Sequence, residues 1–420
     1  MTRVGIIGTG GFAGSHHNAV RALEAAGECR LVCTCDPNAV LLADARTRFD
    51  LDGRGVAVFE DYRSMLDAHR DDLDVVTVPT PLPLHAEMHR ACVEGGFACY
   101  LEKPPTLDPD EMERMLAVEE GAARQTQVAF NFIVEGPRQA LKRRLAAGEF
   151  GRVRRVTFVG LWPRADTYFT RSGWAGRLLW HDGRLVLDSC IGNALAHHVH
   201  NILFWAGTDE LFSWASPAAV WADLYRAHAI EGLDTCFLRS ECDNGVELRL
   251  AATHACDGAQ EQIEGIECDD AVITYVTGGS YRIVWKDGRP DEEGPAARGV
   301  LLQENLRAYF AYVQGVAERP LTRLIDSRPF VHLNGLAYVA AGAITPVGLT
   351  HVHRSAANNG DLVAIAGVRD ACRAFAETGN FPDAQGLPWA TPGGSEQAPA
   401  RPADLPRLPE IIRGIIAAQA

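Results

Sequence analysis

Val4-Gly5-Ile6-Ile7-Gly8-Thr9-Gly10-Gly11-Phe12-Ala13-Gly14 opens the chain with a short apolar run, a glycine-rich turn and a helix that reads on to about Ala26. The run suits a strand buried on both faces. The turn has the Gly-x-Gly-x-x-Ala spacing of a dinucleotide fingerprint. Gly8 permits the tight turn, Gly10 lets a pyrophosphate approach the backbone, and the small Ala13 lets helix and strand pack closely. Gly11 and Phe12 lie at the helix N-terminus, which faces the phosphates. Strand, loop and helix in that order predict a dinucleotide-binding parallel sheet.

Working outward, the strand Arg30–Cys35 ends at Asp36. An acidic residue there accepts hydrogen bonds from the adenosine ribose and repels a 2'-phosphate, so NAD is expected in preference to NADP. Asp36 could also cap a helix with Pro37 at its first position. A third strand–helix unit runs from Val56–Phe59 to about His69. The apolar strand Leu73–Val78 then breaks into Pro79-Thr80-Pro81-Leu82-Pro83-Leu84-His85. His85 and Glu87 open the next helix, and His85 reads equally as a ligand contact or a local hydrogen bond. Phe97–Leu101 is the following strand, ending in Glu102-Lys103-Pro104-Pro105. Strands alternating with helices imply right-handed crossovers, with ligands at the carboxyl ends of the strands. Thr80, Pro81, Glu102 and Lys103 therefore belong beside the nicotinamide half of the cofactor. The two prolines, with fixed φ, stiffen the exit of the strand that carries Lys103.

A chain of 420 residues exceeds the size at which one core stops growing, so two domains are expected. A net charge of -14 argues against nucleic acid and anionic membrane surfaces and for a small-molecule partner. No run of 18 apolar residues exists, and the first residues lead directly into a strand, so a cytoplasmic protein is expected. The 11 cysteines include no Cys-x-x-Cys and read as reduced core residues.

From Val153 the pattern changes to short β-branched and aromatic runs, at 153–162 and near 216–226, 233–242, 245–254, 260–268, 271–277 and 281–287. Turns such as Asp243-Asn244-Gly245 divide them. Helices follow at about 302–318, 326–343, 360–377 and 408–418. The division expected is a nucleotide-binding domain over 1–129, an α+β domain with a large, mostly antiparallel open sheet over 130–385, and an extension rich in Pro, Ala and Gly over 386–420.

These residues resemble the glucose-fructose oxidoreductase, inositol dehydrogenase and rhizopine-catabolism family. The resemblance rests on the glycine loop, the Asp74–Pro81 strand end with His85-Ala86, Leu101-Glu102-Lys103-Pro104, and Val128-Ala129-Phe130-Asn131-Phe132 leading to Gly148-Glu149-Phe150-Gly151. It implies a Rossmann domain with Lys103 next to the nicotinamide and the substrate carbinol, and adds Asn131 to the cofactor residues. It also implies a second sheet with substrate on one face and a subunit contact on the other, hence a homodimer or homotetramer through the open sheet. The family's chemistry uses Asp-x-x-x-His one helical turn apart. Here the match is Asn193–His197, an amide in place of the acid, with Asp188 nearby as a possible carboxylate. Of His197, His198 and His200, residues 197 and 200 share a helix face, but no third ligand follows at recognisable spacing, so no metal is expected. Tyr168, Arg171, Trp174 and Arg177 could stack on and hydrogen-bond a sugar ring, and His200 and His254 join the substrate candidates. The activity expected is NAD-dependent hydride transfer at a secondary hydroxyl of a sugar, cyclitol or glycoside. The alternatives are an epimerase or lyase that uses tightly bound NAD transiently, and a non-catalytic NAD-binding sensor.

Overall fold

The computed structural model describes residues 1–357, 360–392 and 398–419. Residues 393–397 and 420 of the expected extension lie outside the described residues. In chain order the elements begin β1 (Thr2–Ile7), α1 (Ala13–Ala25), β2 (Cys29–Cys35), α2 (Ala39–Arg48), β3 (Ala57–Phe59) and α3 (Tyr62–Ala68). Next come β4 (Val75–Val78), α4 (His85–Glu94), β5 (Ala98–Leu101), α5 (Pro109–Glu119), β6 (Gln127–Val128) and α6 (Gly136–Ala146). Then follow β7 (Val153–Leu161), α7 (Ala196–Ala206), β8 (Pro217–Arg226), β9 (Thr235–Cys242), β10 (Glu247–Thr253), β11 (Glu261–Cys268) and β12 (Ala271–Val276). The chain continues with β13 (Tyr281–Trp285), β14 (Glu292–Glu293), α8 (Leu301–Val313), α9 (Arg328–Ala341) and β15 (Thr345–Pro346). It ends with β16 (Val352–Ala357), β17 (Gly360–Ile365), α10 (Val368–Thr378) and α11 (Leu408–Ala417).

Two compact units form, one from residues 1–106, 110–135 and 298–327, the other from 107–109, 136–297 and 328–420. The boundary expected at 129 thus falls at 135, and the helix expected near 302–318 in the second domain joins the first. Its reason is apolar: Leu302, Leu306, Tyr309 and Phe310 of α8 are buried with Val4, Ile6, Val75, Ala98 and Tyr100 of the sheet. Polar contacts agree. The Gln127 side chain donates to the Asn305 carbonyl at 3.0 Å, and Arg307 grips Glu28 with two 2.7 Å hydrogen bonds.

Among the described residues, the first unit's six strands run parallel in the order β3-β2-β1-β4-β5-β6. The order reverses between β1 and β4, so the carboxyl ends of these strands open a crevice where an open α/β sheet takes its ligand.

The second unit holds a sheet of nine strands among the described residues, ordered β14-β13-β12-β11-β7-β10-β9-β8-β15. It is antiparallel except at β7–β10 and β8–β15. The sheet is open, as expected, and helices cover both of its faces over the centre. Strand alternation sends Phe158 to one face, where it stacks on His198 of α7 at 4.8 Å, and Val159 to the other. Val159, Leu161, Phe237 and Ala251 there pack with Val368, Cys372 and Phe375 of α10 and with Trp389. The helix expected over 360–377 starts only at Val368, because Leu362-Val363-Ala364-Ile365 pairs with β16 as a strand and Gly367 turns the chain at φ 71°. All 11 cysteines are buried and free.

Candidate active site

The glycine loop has the shape its sequence requires. Gly8 has φ 108° and donates its amide to the Cys35 carbonyl at 2.8 Å, while Gly11 has φ 54°. Left-handed backbone of this kind favours glycine. A Cβ at Gly10 would come within 2.7 Å of Leu41 Cδ1, so the loop surface there is bare backbone under a flexible side chain. α1 starts at Ala13, and the first amides of any helix lack partners within it. This cradle fits a pyrophosphate. Phe12 stands 54% exposed at its rim.

Asp36 closes the cradle from the end of β2. Its Oδ2 accepts from the Thr9 amide and hydroxyl, both at 2.9 Å, and its Oδ1 accepts from the Asn38 amide at 2.9 Å. The helix cap is Asn38, whose Oδ1 accepts from the amides of Val40 and Leu41, so the capping alternative for Asp36 is corrected. A carboxylate has about four acceptor positions, which leaves Oδ1 room for a ribose hydroxyl.

At the end of β5, Glu102 is buried and works in two directions. Its Oε1 lies 2.9 Å from His16 Nε2 on α1, and its Oε2 accepts the Lys103 amide at 3.1 Å. The Lys103–Pro104 peptide is cis. His85 joins the two strand-end loops: its Nδ1 is 2.8 Å from the Pro104 carbonyl and its Nε2 is 2.8 Å from the Thr80 carbonyl. A neutral imidazole has one N–H and fills only one of these bonds. Burial disfavours the charged ring and lowers its pKa, while the two carbonyls favour it. His85 is therefore a backbone clamp on the loops holding Lys103 and Thr80, and its ring nitrogens are not turned to a ligand. Pro81 is exposed at the start of the 3-10 turn Leu82–Leu84. Asn131 is buried with its Oδ1 3.0 Å from the Tyr100 hydroxyl, which is also 3.0 Å from Asn305 Oδ1. One hydroxyl proton cannot serve two acceptors, so one of these amides turns its NH₂ toward Tyr100.

In the second unit the expected regular helix from 193 is a π turn, Cys190–Ala194, followed by α7 from Ala196. π turns concentrate at functional sites. Ser189 caps this one, its Oγ accepting the Gly192 amide at 2.9 Å, and Leu187 just before it has φ 49°. The turn brings Asn193 to Asp188: Nδ2 donates to Oδ1 at 2.8 Å. Asp188 Oδ2 accepts the Gly176 amide at 2.6 Å and lies 3.6 Å from Arg171 Nη2. Both residues weighed for the acidic position thus form one unit, with His197 half-buried at the start of α7.

The other histidines of the cluster differ. His198 Nδ1 is 3.2 Å from Glu264 Oε1 in a buried network. Glu264 also accepts from Arg138 at 2.6 Å, Asn201 at 2.7 Å and Trp205 at 2.6 Å. His200 is fully buried beside the Trp214 ring, 5.2 Å away, and presents no surface to a substrate. His254 is 1% exposed, with Nδ1 2.9 Å from the Trp162 carbonyl, and burial pushes its pKa down to about 3. It supports the Tyr168 loop from beneath, their rings 5.8 Å apart. Arg177 pairs with Glu231 at 2.9 Å on the surface. Arg171 lies over the rings of Tyr168 and Trp174, at 3.8 and 5.2 Å.

Sequence reasoning missed Glu264, Arg138, His16 and Arg164. Glu264 carried a signal, since in Gln262-Ile263-Glu264-Gly265-Ile266-Glu267-Cys268 it shares its face with Ile266 and Cys268. Among the described residues no group of three or more His, Cys, Asp or Glu side chains is placed to hold a metal, and no helix is long and apolar enough to cross a membrane.

Residues 2–130 match the oxidoreductase family with an NAD-binding Rossmann fold. Over these residues the chain is similar to the NAD-binding domain of the glucose-fructose oxidoreductase, inositol dehydrogenase and rhizopine-catabolism family. Its similarity to the inositol 2-dehydrogenase of Rhizobium meliloti (strain 1021) is 25% identity over 173 residues, 41% of this chain and 49% of that protein. A dTDP-3,4-didehydro-2,6-dideoxy-alpha-D-glucose 3-reductase of Actinomadura kijaniata is 31% identical over 157 residues, 36% of this chain and 43% of the relative. The chain thus matches less than half the length of these curated relatives. The fold of a levoglucosan dehydrogenase, solved with NADH and levoglucosan, superposes with a TM-score of 0.67 at 19% identity, covering 81% of this chain and 97% of that one. Residues 2–130 thus form an NAD-binding Rossmann domain of the oxidoreductase type.

Proposed function

We propose that this oxidoreductase transfers hydride between a secondary hydroxyl of a sugar, cyclitol or glycoside and NAD. The observation that carries the reading is the mounting of Lys103: it follows the carboxyl end of β5, with its amide on Glu102 and the next carbonyl on His85. NAD, when bound, supplies the hydride acceptor. Gly8, Gly10, Gly11, Phe12 and Ala13 would hold its pyrophosphate, Asp36 its adenosine ribose, and Thr80, Pro81, Glu102 and Asn131 its nicotinamide side. Asp36 supports NAD over NADP, because a 2'-phosphate would meet its carboxylate. The lysine ammonium would orient the hydroxyl and take part in moving its proton, a contribution worth about 10² to 10⁴ in rate. His197, half-buried at the start of α7, is a further candidate for a proton-transfer role. The family's missing acid has a substitute in Asp188, which is hydrogen-bonded to Asn193, and this favours a working enzyme over a silent sensor.

The test is NADH formation from a panel of polyols, glycosides and nucleotide sugars. Stoichiometric NADH supports the reading; product without free NADH would favour an epimerase or lyase, and NAD binding without product a sensor. Lys103→Met keeps the length of the stem and removes the ammonium. It should leave NAD binding intact and lower turnover at least about a hundredfold. Near-normal turnover would remove Lys103 from the mechanism.

A further inference from the structure

The loop after β7 stacks aromatic rings and guanidinium groups alternately. The Arg164 guanidinium lies 3.8 Å from the ring centre of Trp162 and 4.3 Å from that of Tyr168. The Arg171 guanidinium lies 3.8 Å from the same Tyr168 ring and 5.2 Å from Trp174. Two like charges thus share one ring. Arg171 is fixed by its 2.6 Å hydrogen bond to the Tyr168 carbonyl and by Asp188 at 3.6 Å. The other carboxylates of the neighbourhood are committed elsewhere: Asp166 pairs with Arg354 at 2.8 Å, Glu231 with Arg177 at 2.9 Å, and Asp234 with His228 at 2.7 Å.

Arg164 is the exception. Among the described residues no carboxylate lies within ion-pair reach of it, and its Nε is buried without a hydrogen-bond partner. Burial, with Arg171 adding to it, lowers its pKa, so the site strains against holding this charge alone. Charges taken out of water are normally paired. Stacking on two rings orients the guanidinium fork, which matches the paired oxygens of a carboxylate or phosphate. The residue is only half-buried, so a ligand can reach it. The stack also adjoins the proposed hydroxyl-handling group, through Arg171 to Asp188 and from Asp188 to Asn193.

We propose that Arg164, with Arg171 beside it, receives an oxyanion carried by the substrate, so that the protein acts on sugar acids or sugar phosphates in preference to neutral polyols. This rests on the dehydrogenase reading for the reaction but not for the binding. The experiment therefore measures binding directly, by calorimetry on the full chain loaded with NAD. D-glucose, D-glucuronate and D-glucose 6-phosphate present the same ring with a neutral, carboxylate or phosphate group at one carbon. At least one anion should bind tenfold or more tighter than glucose, and which one leads identifies the carboxylate or phosphate source. In Arg164→Gln that advantage should shrink to less than about threefold, the loss expected for a hydrogen bond to a charged group. Arg164→Lys, which keeps the charge and loses the fork, should fall between. Melting temperatures without ligand check that the variants fold, and if Arg164→Gln does not, Arg164→Lys and Arg171→Gln carry the comparison. The inference is overturned if glucose binds as tightly as both anions, if neither anion binds, or if folded Arg164→Gln keeps the preference. Anion binding that depends on Arg164 without NADH from any compound would leave this inference standing and sink the dehydrogenase reading. NADH from neutral sugars at a KM unchanged in Arg164→Gln would do the reverse.

Discussion

Glu264 and Asp188 are both buried carboxylates of the same unit, 0% and 2% exposed, yet their surroundings differ in kind. Glu264 is met by side chains from packed helices: Arg138 of α6 and His198, Asn201 and Trp205 of α7. Burial alone would raise its pKa, but Arg138 and His198 outweigh that and pull it down to about 2. Asp188 is met by a loop amide, the Asn193 amide group of a π turn and an arginine at 3.6 Å. A carboxylate answered by regular elements pins α7 to the sheet; for the one answered by turns and an aromatic loop we propose a part in the reaction. Burial alone does not tell the two apart.

The largest effect should come from Glu264→Gln, which removes the carboxylate charge to which buried Arg138 donates at 2.6 Å. A loss of about 3 to 5 kcal/mol is expected in denaturant unfolding, against about 1 kcal/mol for Asp188→Asn. Equal losses would break the distinction. The pH dependence has a definite sign. Because the folded pKa of Glu264 is depressed, its contribution is present above about 4.5 and is lost as pH falls toward about 2. Glu264→Gln should abolish that part of the acid slope.

Asp188→Asn should instead show itself in turnover, falling at least about tenfold with the melting temperature nearly kept. A stable variant with full activity would remove Asp188 from the site. Asn193→Asp sharpens the same point by setting a second carboxylate against Asp188, where the amide now donates at 2.8 Å. One of the two carboxylates must then hold its proton to higher pH, moving the acidic limb of the pH–rate profile up by about one unit. NAD affinity, measured by titration, should not move. The raised group's contribution to stability would be present below about pH 4 and lost as pH rises through its new pKa. The smallest change is expected at the first unit's carboxylate: Asp36→Asn keeps an acceptor for Thr9 and drops the charge, so the ratio of NAD to NADP affinity should narrow by several-fold. An unchanged ratio would make Asp36 a brace for the glycine loop alone.

The first unit was legible where its chemistry is local. Gly8, Gly10 and Ala13 act within one turn, and Glu102-Lys103-Pro104 follows directly on a strand. What escaped was long-range. His16 reaches Glu102 across 86 positions, and α8 joins a sheet whose nearest strand in sequence ended at Val128. In the second unit the strands were readable from alternation, but the π turn, the left-handed Leu187 and the Asp188–Asn193 bond depend on packing that spacing does not encode. The helix expected over 360–377 failed because an apolar run before a glycine suits strand and helix alike.

The return of α8 to the first unit has a consequence for how the protein is made. A ribosome translating about 5 to 20 residues per second needs roughly 8 to 33 s to pass from residue 135 to residue 301. During that interval the nascent parallel sheet has every strand but lacks Leu302, Leu306, Tyr309 and Phe310, so one side of its core stays wet. The strands β7–β13 are all synthesised before α8. The first unit can therefore close its core only after most of the second unit's large sheet has been made, and the second closes its own only when α10 and Trp389 follow.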